Sequence, residues 1–189
     1  MKKYNILIIL NQFFILFFLV SAQAQTRVNK EWETSTGNPI GLQWSNSIMN
    51  VDNQVISIGN SLVANQGANV LLTTYNPDGS LAWQRDFNTS GANNDYGISI
   101  TTDAAKNIYV CGTTDNGVTN NNDILLLKYA ANGTLIWSTQ YNSTFNKHDI
   151  GTALKVDATG NIFVVARSES STNNQDFLTL KFNSLGTVI

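Results

Sequence analysis

The sequence repeats itself with a period of 53 to 54 residues, and this repeat restricts the possible folds more than any other feature. When residues 69–122 are placed over residues 123–176, 15 of the 54 positions are identical without a gap. The identical pairs are Leu71/Leu125, Leu72/Leu126, Tyr75/Tyr129, Gly79/Gly133, Leu81/Leu135, Trp83/Trp137, Asn88/Asn142, Asp95/Asp149, Gly97/Gly151, Asp103/Asp157, Ala104/Ala158, Asn107/Asn161, Ile108/Ile162, Val110/Val164 and Asn120/Asn174. Chance similarity does not keep Trp, Gly and Asp in phase, so the chain is a tandem repeat.

Weaker copies flank the two strong ones. A copy that begins at Asp176 repeats residues 123–134 at a spacing of 53, and residues 51–59 resemble residues 103–112. Trp32 lies 51 residues before Trp83. We therefore divide the chain into a leader (1–24), an N-terminal partial repeat (25–68), two repeats (69–122 and 123–175) and the start of a further one (176–189).

Four strands are predicted within one repeat. In the second strong repeat they are residues 124–129, 134–141, 151–157 and 161–167. The Asn-Gly pair at 132–133 and the Asp-Gly pair at 78–79 predict two-residue hairpin turns, because such turns need positive φ angles. We expect the four strands to be antiparallel neighbours that follow one another in a single sheet.

Several of these strands are apolar on both faces, for example 124–127 (Ile-Leu-Leu-Leu) and 162–165 (Ile-Phe-Val-Val). A strand that is buried on one face would alternate apolar and polar residues, so both faces of each sheet must be covered. The 26 Asn and 19 Thr fit short strands joined by tight turns. We therefore predict an all-β protein, a β-propeller with about three four-stranded antiparallel blades present. A β-helix also stacks sheets, but its repeats are usually much shorter.

The first residues have the organisation of a signal peptide. Lys2 and Lys3 provide positive charge, residues 6–20 are apolar apart from two amides, and residues 22–24 (Ala-Gln-Ala) form a small-x-small cleavage site. We predict cleavage after Ala24. An uncleaved anchor is the alternative, but a spanning helix needs roughly 20 apolar residues. No Cys lies near the site to support a lipoprotein.

The net charge bears on the partners that the chain could bind, and the single cysteine excludes an internal disulfide. Without Lys2 and Lys3 the chain carries 9 Lys or Arg against 13 Asp or Glu, a net charge of −4. A weakly acidic surface gives no electrostatic reason to expect nucleic acid or anionic lipid as a partner. The single Cys cannot form an internal disulfide, so stability must come from burial and strand pairing.

Two motifs resemble known repeats. Residues 75–83 (Tyr-Asn-Pro-Asp-Gly-Ser-Leu-Ala-Trp) and 129–137 (Tyr-Ala-Ala-Asn-Gly-Thr-Leu-Ile-Trp), with residues 97–110 and 151–164 after them, resemble the bacterial β-propeller repeat of secreted and cell-surface proteins. The resemblance implies a non-enzymatic surface module of an exported protein. Members often carry a C-terminal sorting domain, which is not seen in this sequence.

The Gly-x-x-x-Trp segments at 79–83 and 133–137 are also similar to the tryptophan-docking motif of quinoprotein dehydrogenases and outer-membrane assembly lipoproteins. In those proteins a Trp packs between blades against the turn glycine of its neighbour. The motif implies this mechanical role alone, because it brings no cofactor, calcium ligand or catalytic acid.

Candidate chemistry is sparse. Asp95/Asp149 and Asp103/Asp157 recur in phase and invite a calcium hypothesis, but Ca²⁺ needs about six to eight converging oxygen ligands. Acceptance of backbone hydrogen bonds in turns is the simpler role for them. His148 is the only histidine and Cys111 the only cysteine, so neither a triad nor a zinc cluster can be assembled from them. We expect Cys111 to be a small core residue.

The aromatic residues Trp83, Trp137, Tyr75 and Tyr129 could line a sugar-binding surface, but their recurrence in phase favours packing between blades. Ligand contacts are expected instead on the loops that vary between copies, residues 116–122 and 168–174. The sequence therefore identifies no catalytic, cofactor-binding or metal-binding residue.

The sequence stops in the middle of a predicted strand. Residues 187–189 align with residues 134–136, so the next residue would be the counterpart of Trp137. The 165 residues after the leader cover about three periods, whereas closed propellers use roughly four to eight blades. We expect the sequence to be a fragment of a longer protein.

Together these features predict a non-catalytic, exported β-propeller that binds an unidentified protein or carbohydrate, or serves a structural role, at the cell surface or outside the cell. It is expected to have no cofactor and no membrane insertion after cleavage. The alternatives are a propeller enzyme of quinoprotein or lyase type with its catalytic residues in further blades, and a periplasmic assembly scaffold.

Overall fold

The computed structural model of the protein describes residues 43–49, 52–90, 94–115, 121–171 and 174–189. These residues form eleven strands and no helix. The strands are β1 (Gln43–Met49), β2 (Val55–Val63), β3 (Gly67–Tyr75), β4 (Leu81–Phe87), β5 (Asp95–Thr102), β6 (Ile108–Asp115), β7 (Asn122–Tyr129), β8 (Leu135–Tyr141), β9 (Asp149–Val156), β10 (Ile162–Ser171) and β11 (Asn174–Phe182). The all-β prediction is thus confirmed. The predicted leader and Trp32 lie outside the described residues.

The strands form three antiparallel sheets, and in each sheet the strands follow one another in chain order. The first sheet contains β1 to β4, the second β5 to β8 and the third β9 to β11. β-Bulges recur in phase, since the register shifts between Thr74 and Tyr75 and again between Lys128 and Tyr129. The repeat in sequence is therefore a repeat in backbone structure.

The sheets do not begin where the sequence repeats were divided. We expected the four strands of 124–167 to form one sheet, but β7 and β8 complete the second sheet and the next two strands open the third. Residues 176–189 likewise do not start a new sheet, because β11 is the third strand of the third sheet and Val188 forms a bridge with Phe182. A tandem period fixes the spacing of strands but not the strand at which a sheet begins.

The hairpin turns also differ from the prediction. In the β7–β8 turn the Gly133 N–H donates to the Ala130 carbonyl (2.9 Å), and the Ala130 N–H donates to the Thr134 carbonyl (2.8 Å). Gly133 has a φ of 80°, whereas Asn132 is not among the residues with positive φ. The loop is thus longer than two residues, with one left-handed glycine that produces the bulge after the turn.

The two central strands of the second sheet, β6 and β7, are buried on both faces. The face of this sheet towards the first sheet packs Ile108, Val110, Leu125 and Leu127 against four residues of β2 and β3. Those four residues are Ile56, Ile58, Val70 and Leu72. The continuous apolar strands of the sequence are explained by this position between two layers.

The opposite face of the second sheet packs against the third sheet. Tyr109, Cys111, Ile124 and Leu126 form one cluster with residues of β9, β10 and β11. The third-sheet members are Leu154, Ile162, Val164, Ala166, Leu180 and Phe182. The three sheets are therefore stacked in chain order, with two separate apolar layers between them.

The repeated glycines Gly97 and Gly151 allow the sheets to approach each other at their first strands. A Cβ atom on Gly97 would lie 2.3 Å from Cδ1 of Ile58 in the first sheet. A Cβ atom on Gly151 would lie 2.3 Å from Sγ of Cys111 and 2.8 Å from the carbonyl oxygen of Gly112 in the second sheet. Each glycine thus occupies a place where only a residue without a side chain fits.

Candidate functional site

The indole of Trp83 in the first sheet rests on the turn glycine of the second sheet. A Cβ atom on Gly133 would lie 2.9 Å from two atoms of the ring, and the Trp83 Nε1–H donates to the Ala131 carbonyl (3.2 Å). Arg85 strengthens the junction, because its Nε–H donates to the Gly133 carbonyl (3.0 Å). Its guanidinium lies 5.6 Å from the centre of the Trp83 ring, within the range of a cation–π interaction.

The same junction is present one repeat later. Trp137 lies against Gly186, whose φ is 81° and whose added Cβ would lie 3.2 Å from the ring. The Trp137 Nε1–H donates to the Ser184 carbonyl (3.3 Å). The Gly-x-x-x-Trp segments therefore join sheets mechanically: the Trp of one sheet reaches the glycine turn of the next.

Asp103 and Asp157 stabilise the turns between the first and second strands of their sheets. Asp157 accepts hydrogen bonds from the Asn161 side chain (2.9 Å), the Thr159 hydroxyl (2.7 Å) and the backbone N–H of both residues. The Asn161 and Thr159 side chains are the largest cause of the strong lowering of the pKa of Asp157. The carboxylate is thus occupied by its own turn.

Asp103 makes the equivalent contacts. It accepts hydrogen bonds from the Asn107 backbone N–H (2.8 Å), the Asn107 side chain (2.8 Å) and the Tyr109 hydroxyl (3.0 Å). Burial alone would raise the pKa of Asp103, but these hydrogen bonds outweigh burial and hold the pKa below its ordinary value.

Asp95 and Asp149 stabilise the connections between sheets. Both side chains are fully buried at the start of the first strand of their sheet. Asp95 accepts from the Thr89 N–H (2.8 Å), and Asp149 accepts from the Ser143 N–H (2.6 Å). The carboxylates thus fix the backbone where the chain crosses from one sheet to the next.

The described residues contain no group of three or more His, Cys, Asp or Glu side chains that could hold a metal ion. The four repeated aspartates are divided between two kinds of position: Asp103 and Asp157 lie in hairpin turns, and Asp95 and Asp149 lie at the connections between sheets. All four side chains accept hydrogen bonds from turn or loop donors, as expected from the sequence.

His148 accepts a hydrogen bond in the same way as an asparagine one repeat earlier. The Asn122 N–H donates to His148 Nδ1 (3.3 Å), and the Ala68 N–H donates to Asn94 Oδ1 (3.0 Å). Each bond ties the start of a third strand to the connection into the next sheet. This role is not visible in the sequence, although His148 and Asn94 occupy equivalent positions in the repeat.

The remaining candidate residues lie in the core. Cys111 is a free thiol with no exposed surface, and burial raises its pKa to about 12, so the reactive thiolate is disfavoured. Tyr75 and Tyr129 are buried as well, and burial raises the pKa of Tyr129 to about 12. These aromatic side chains are therefore not presented to a sugar ligand.

The loops predicted to contact a ligand are described only in part, since residues 116–120 and 172–173 lie outside the described residues. The described ends are rich in amides and hydroxyls. The Asn121 side chain donates to the Asn146 carbonyl (2.9 Å), and the Asn174 side chain donates to the Ser170 hydroxyl (3.1 Å). The described ends of these loops thus present amides and hydroxyls alongside the carboxylate of Asp176, which accepts from the Ser170 hydroxyl (2.6 Å).

Fold and junctions define an all-β repeat protein of stacked antiparallel sheets. Comparison of the sequence with known protein families finds no matching family model. Comparison with curated proteins likewise finds no match. Within the described part of the chain, no helix is long and apolar enough to cross a membrane.

Proposed function

We propose that the chain is part of an exported, non-catalytic β-propeller that acts as a binding or structural module at the cell surface or in the extracellular space. The second sheet carries this proposal, because its two central strands are buried on both faces and the sheet is joined to each neighbour in the same way. A propeller blade has this environment.

Two further observations support a propeller. The first strands of adjoining sheets lie beside each other, β1 beside β5 and β5 beside β9, as the inner strands of blades do around an axis. At the fourth strands the junction is made by Trp83 on Gly133 and Trp137 on Gly186. Successive sheets therefore contact each other both at their first strands and at their fourth strands.

Export is proposed from the leader-like residues 1–24, and a binding role from the amide-rich loops at one end of the sheets. The weakly acidic net charge of the chain favours a protein or carbohydrate ligand over nucleic acid. A non-catalytic role is proposed from the resemblance of residues 75–83 and 129–137 to the repeat of secreted and cell-surface propellers.

The proposal is tested with the natural protein from the organism's own reading frame. Cell fractionation and N-terminal sequencing should find a mature protein that begins at Gln25 outside the cytoplasm. Electron microscopy of that protein should show a closed ring of blades. Retention of residues 1–24, or a helical or two-layered molecule, would refute the proposal.

The ligand-binding element is tested by loop replacement. Residues 116–121 and 169–173 would be exchanged for Gly-Ser segments of equal length, and binding to a panel of soluble polysaccharides and to intact cells would be measured. We expect the folded variant to lose binding. Turnover of a substrate by the unmodified protein would favour the enzyme alternative.

A further inference from the structure

The outer face of the third sheet is apolar and exposed, although the equivalent faces of the other two sheets are covered. This face, which we call the forward face, contains Phe163, Val165 and Phe177, and Phe177 is 93% exposed. The equivalent residues of the second sheet are Tyr109, Cys111 and Ile124, all at most 1% exposed. Those of the first sheet (Ile56, Ile58 and Val70) are equally buried.

The forward face of the third sheet also differs in charge from that of the second. Lys155 and Arg167 replace Thr101 and Thr113 at equivalent positions, and Lys181 repeats Lys128. Lys181 lies over the Phe163 ring at 5.5 Å, as Lys128 lies over the Tyr109 ring at 4.9 Å. The apolar centre is thus bordered by three cations.

The interface between the second and third sheets shows which group Arg167 would contact, because Thr113 is its equivalent there. At the interface between the second and third sheets, the Thr113 hydroxyl donates to the carbonyl oxygen of Asp149 (3.4 Å). Asp149 is the fully buried aspartate that begins β9, and Asp95 occupies the same place in the second sheet. An arginine in place of Thr113 would therefore meet the main-chain carbonyl oxygen of the residue that begins the next sheet. The carboxylate of Asp149 itself accepts from the Ser143 N–H of the preceding connection (2.6 Å).

We propose that the forward face of the third sheet binds a fourth sheet of the same repeat in the same polypeptide, with the Arg167 guanidinium donating to the main-chain carbonyl oxygen of the residue that begins that sheet. The inference rests on the proposed propeller and specifies one of its junctions. In the chain itself the Arg167 Nη1–H donates to Gln175 Oε1 (3.0 Å). A partner that buries this guanidinium without offering an acceptor is disfavoured, so charge gives this junction a selectivity that the Thr113 junction does not have.

The test compares the chain with an extended chain in which a second copy of residues 137–189 follows Ile189. The copy would add a fourth strand to the third sheet and a further sheet beyond it. We expect the melting temperature to rise by about 5 °C or more, because stacked repeats stabilise each other through their interfaces. As a matched control, the copies of Leu154, Val164 and Ala166 are replaced by Glu, which should abolish the rise.

Phe177→Ser distinguishes the exposed forward face of the original chain from the covered forward face of the extended chain. In the chain itself the substitution should leave the melting temperature unchanged or raise it slightly, since the ring is in water. In the extended chain it should remove most of the gain. Phe145→Ser, another exposed phenylalanine away from this face, should have no effect in either chain.

The role of Arg167 is tested by Arg167→Met, which keeps the apolar stem, in the extended and in the original chain. The substitution should lower the melting temperature of the extended chain by more than that of the original chain. Equal changes in both chains would refute the contact, and an extended chain that melts no higher than the original, or does not fold, would refute the docking surface.

Self-association of the original chain through this face, detected by sedimentation and abolished by Phe177→Ser, would also overturn the proposal in favour of a second copy. These outcomes are distinct from failure of the propeller. An extended chain that is stabilised but forms an open stack in solution would keep the docking surface and refute the closed ring.

Discussion

Trp83 and Gly133 lie 50 residues apart in sequence, yet an added Cβ on the glycine would lie only 2.9 Å from the indole ring. The glycine is left-handed, so it provides both the turn of its own hairpin and the flat surface on which the ring of the preceding sheet rests. Trp137 packs on Gly186 in the same way. The packing of a Trp ring on the turn glycine of the next sheet therefore explains why Gly and Trp recur together in phase.

The first prediction concerns Gly133→Ala. The added methyl group meets the ring of Trp83 and forces a non-glycine residue into the left-handed region, so we expect a loss of about 2–4 kcal/mol of unfolding free energy. Urea unfolding followed by tryptophan fluorescence measures this loss.

Gly160→Ala provides the matched control. Its φ is 85°, but an added Cβ would approach only Ser184 Cβ, at 3.2 Å. We expect a loss of about 1–2 kcal/mol, the backbone contribution alone. In a Trp83→Ala background the cost of Gly133→Ala should fall to this level, and an unchanged cost would show that the ring is not in contact.

The second prediction concerns the glycines of the first strands. Gly97→Ala places its methyl group on the end of the Ile58 side chain, and it should cost about 1–3 kcal/mol by overpacking. Ile58→Ala creates room, so the double variant should lose less than the sum of the single losses. Additivity in chemical denaturation would argue against contact between these sheets.

Gly151→Ala should not be rescued in this way. Its methyl group meets both Cys111 Sγ and the carbonyl oxygen of Gly112, and backbone cannot be trimmed by substitution. Cys111→Ala should therefore leave most of the loss in place. Complete rescue would mean that the two strands are further apart than described.

Gly97 and Gly151 show which features of the fold can be predicted from the sequence and which cannot. The recurrence of Gly97 and Gly151, together with strands that are apolar on both faces, suffices to predict stacked sheets. It does not reveal which strand is first in a sheet. The connections 142–148 and 116–121 are of similar length and polarity, so sequence alone does not show that the former crosses between sheets and the latter closes a hairpin.

The polar junctions were less predictable than the apolar layers. The four aspartates can be recognised in the sequence because they recur in phase. The turn contacts of Asp103 and Asp157 follow from the preference of Asp and Asn for turn positions, where their side chains accept backbone hydrogen bonds. The shared role of His148 and Asn94 is hidden, because the two side chains differ in chemistry and resemble each other only in where they place an acceptor. Three-dimensional pairing with Asn122 and Ala68 is needed to recognise it.

The third prediction concerns this acceptor. His148→Asn should retain stability, since Asn94 makes the equivalent bond in the preceding repeat. His148→Ala leaves the Asn122 N–H without its acceptor and should cost about 1 kcal/mol. Thermal unfolding at neutral pH compares the variants, and equal losses in both would exclude a specific hydrogen bond.

The fourth prediction concerns acid stability. The hydrogen bonds from Asn161 and Thr159 lower the pKa of Asp157, so protons bind to this group more tightly in the unfolded chain. Its contribution is present above the unfolded pKa, roughly 4, and is lost as the pH falls below that value. Asp157→Asn should therefore show a shallower loss of stability between about pH 5 and pH 2 than the original protein.

The fifth prediction concerns the thiol of Cys111. Because burial raises its pKa to about 12, the folded protein should react very slowly with a thiol reagent at about pH 8, and denatured protein should react at once. The unfolded thiol titrates near pH 8.5 and the folded one higher, so this group lowers stability as the pH rises between these values. Fast labelling of the folded protein would contradict burial between the second and third sheets.

The most direct test of the stacked arrangement is the detection of contacts between sheets by methyl-resolved nuclear magnetic resonance. The structure predicts nuclear Overhauser effects from the Ile58 Cδ1 methyl to the Gly97 Hα and from the Ile124 Cγ2 methyl to the Gly151 Hα. Observation of both would place the second sheet between the first and the third. A folded protein in which either contact is missing would contradict the account.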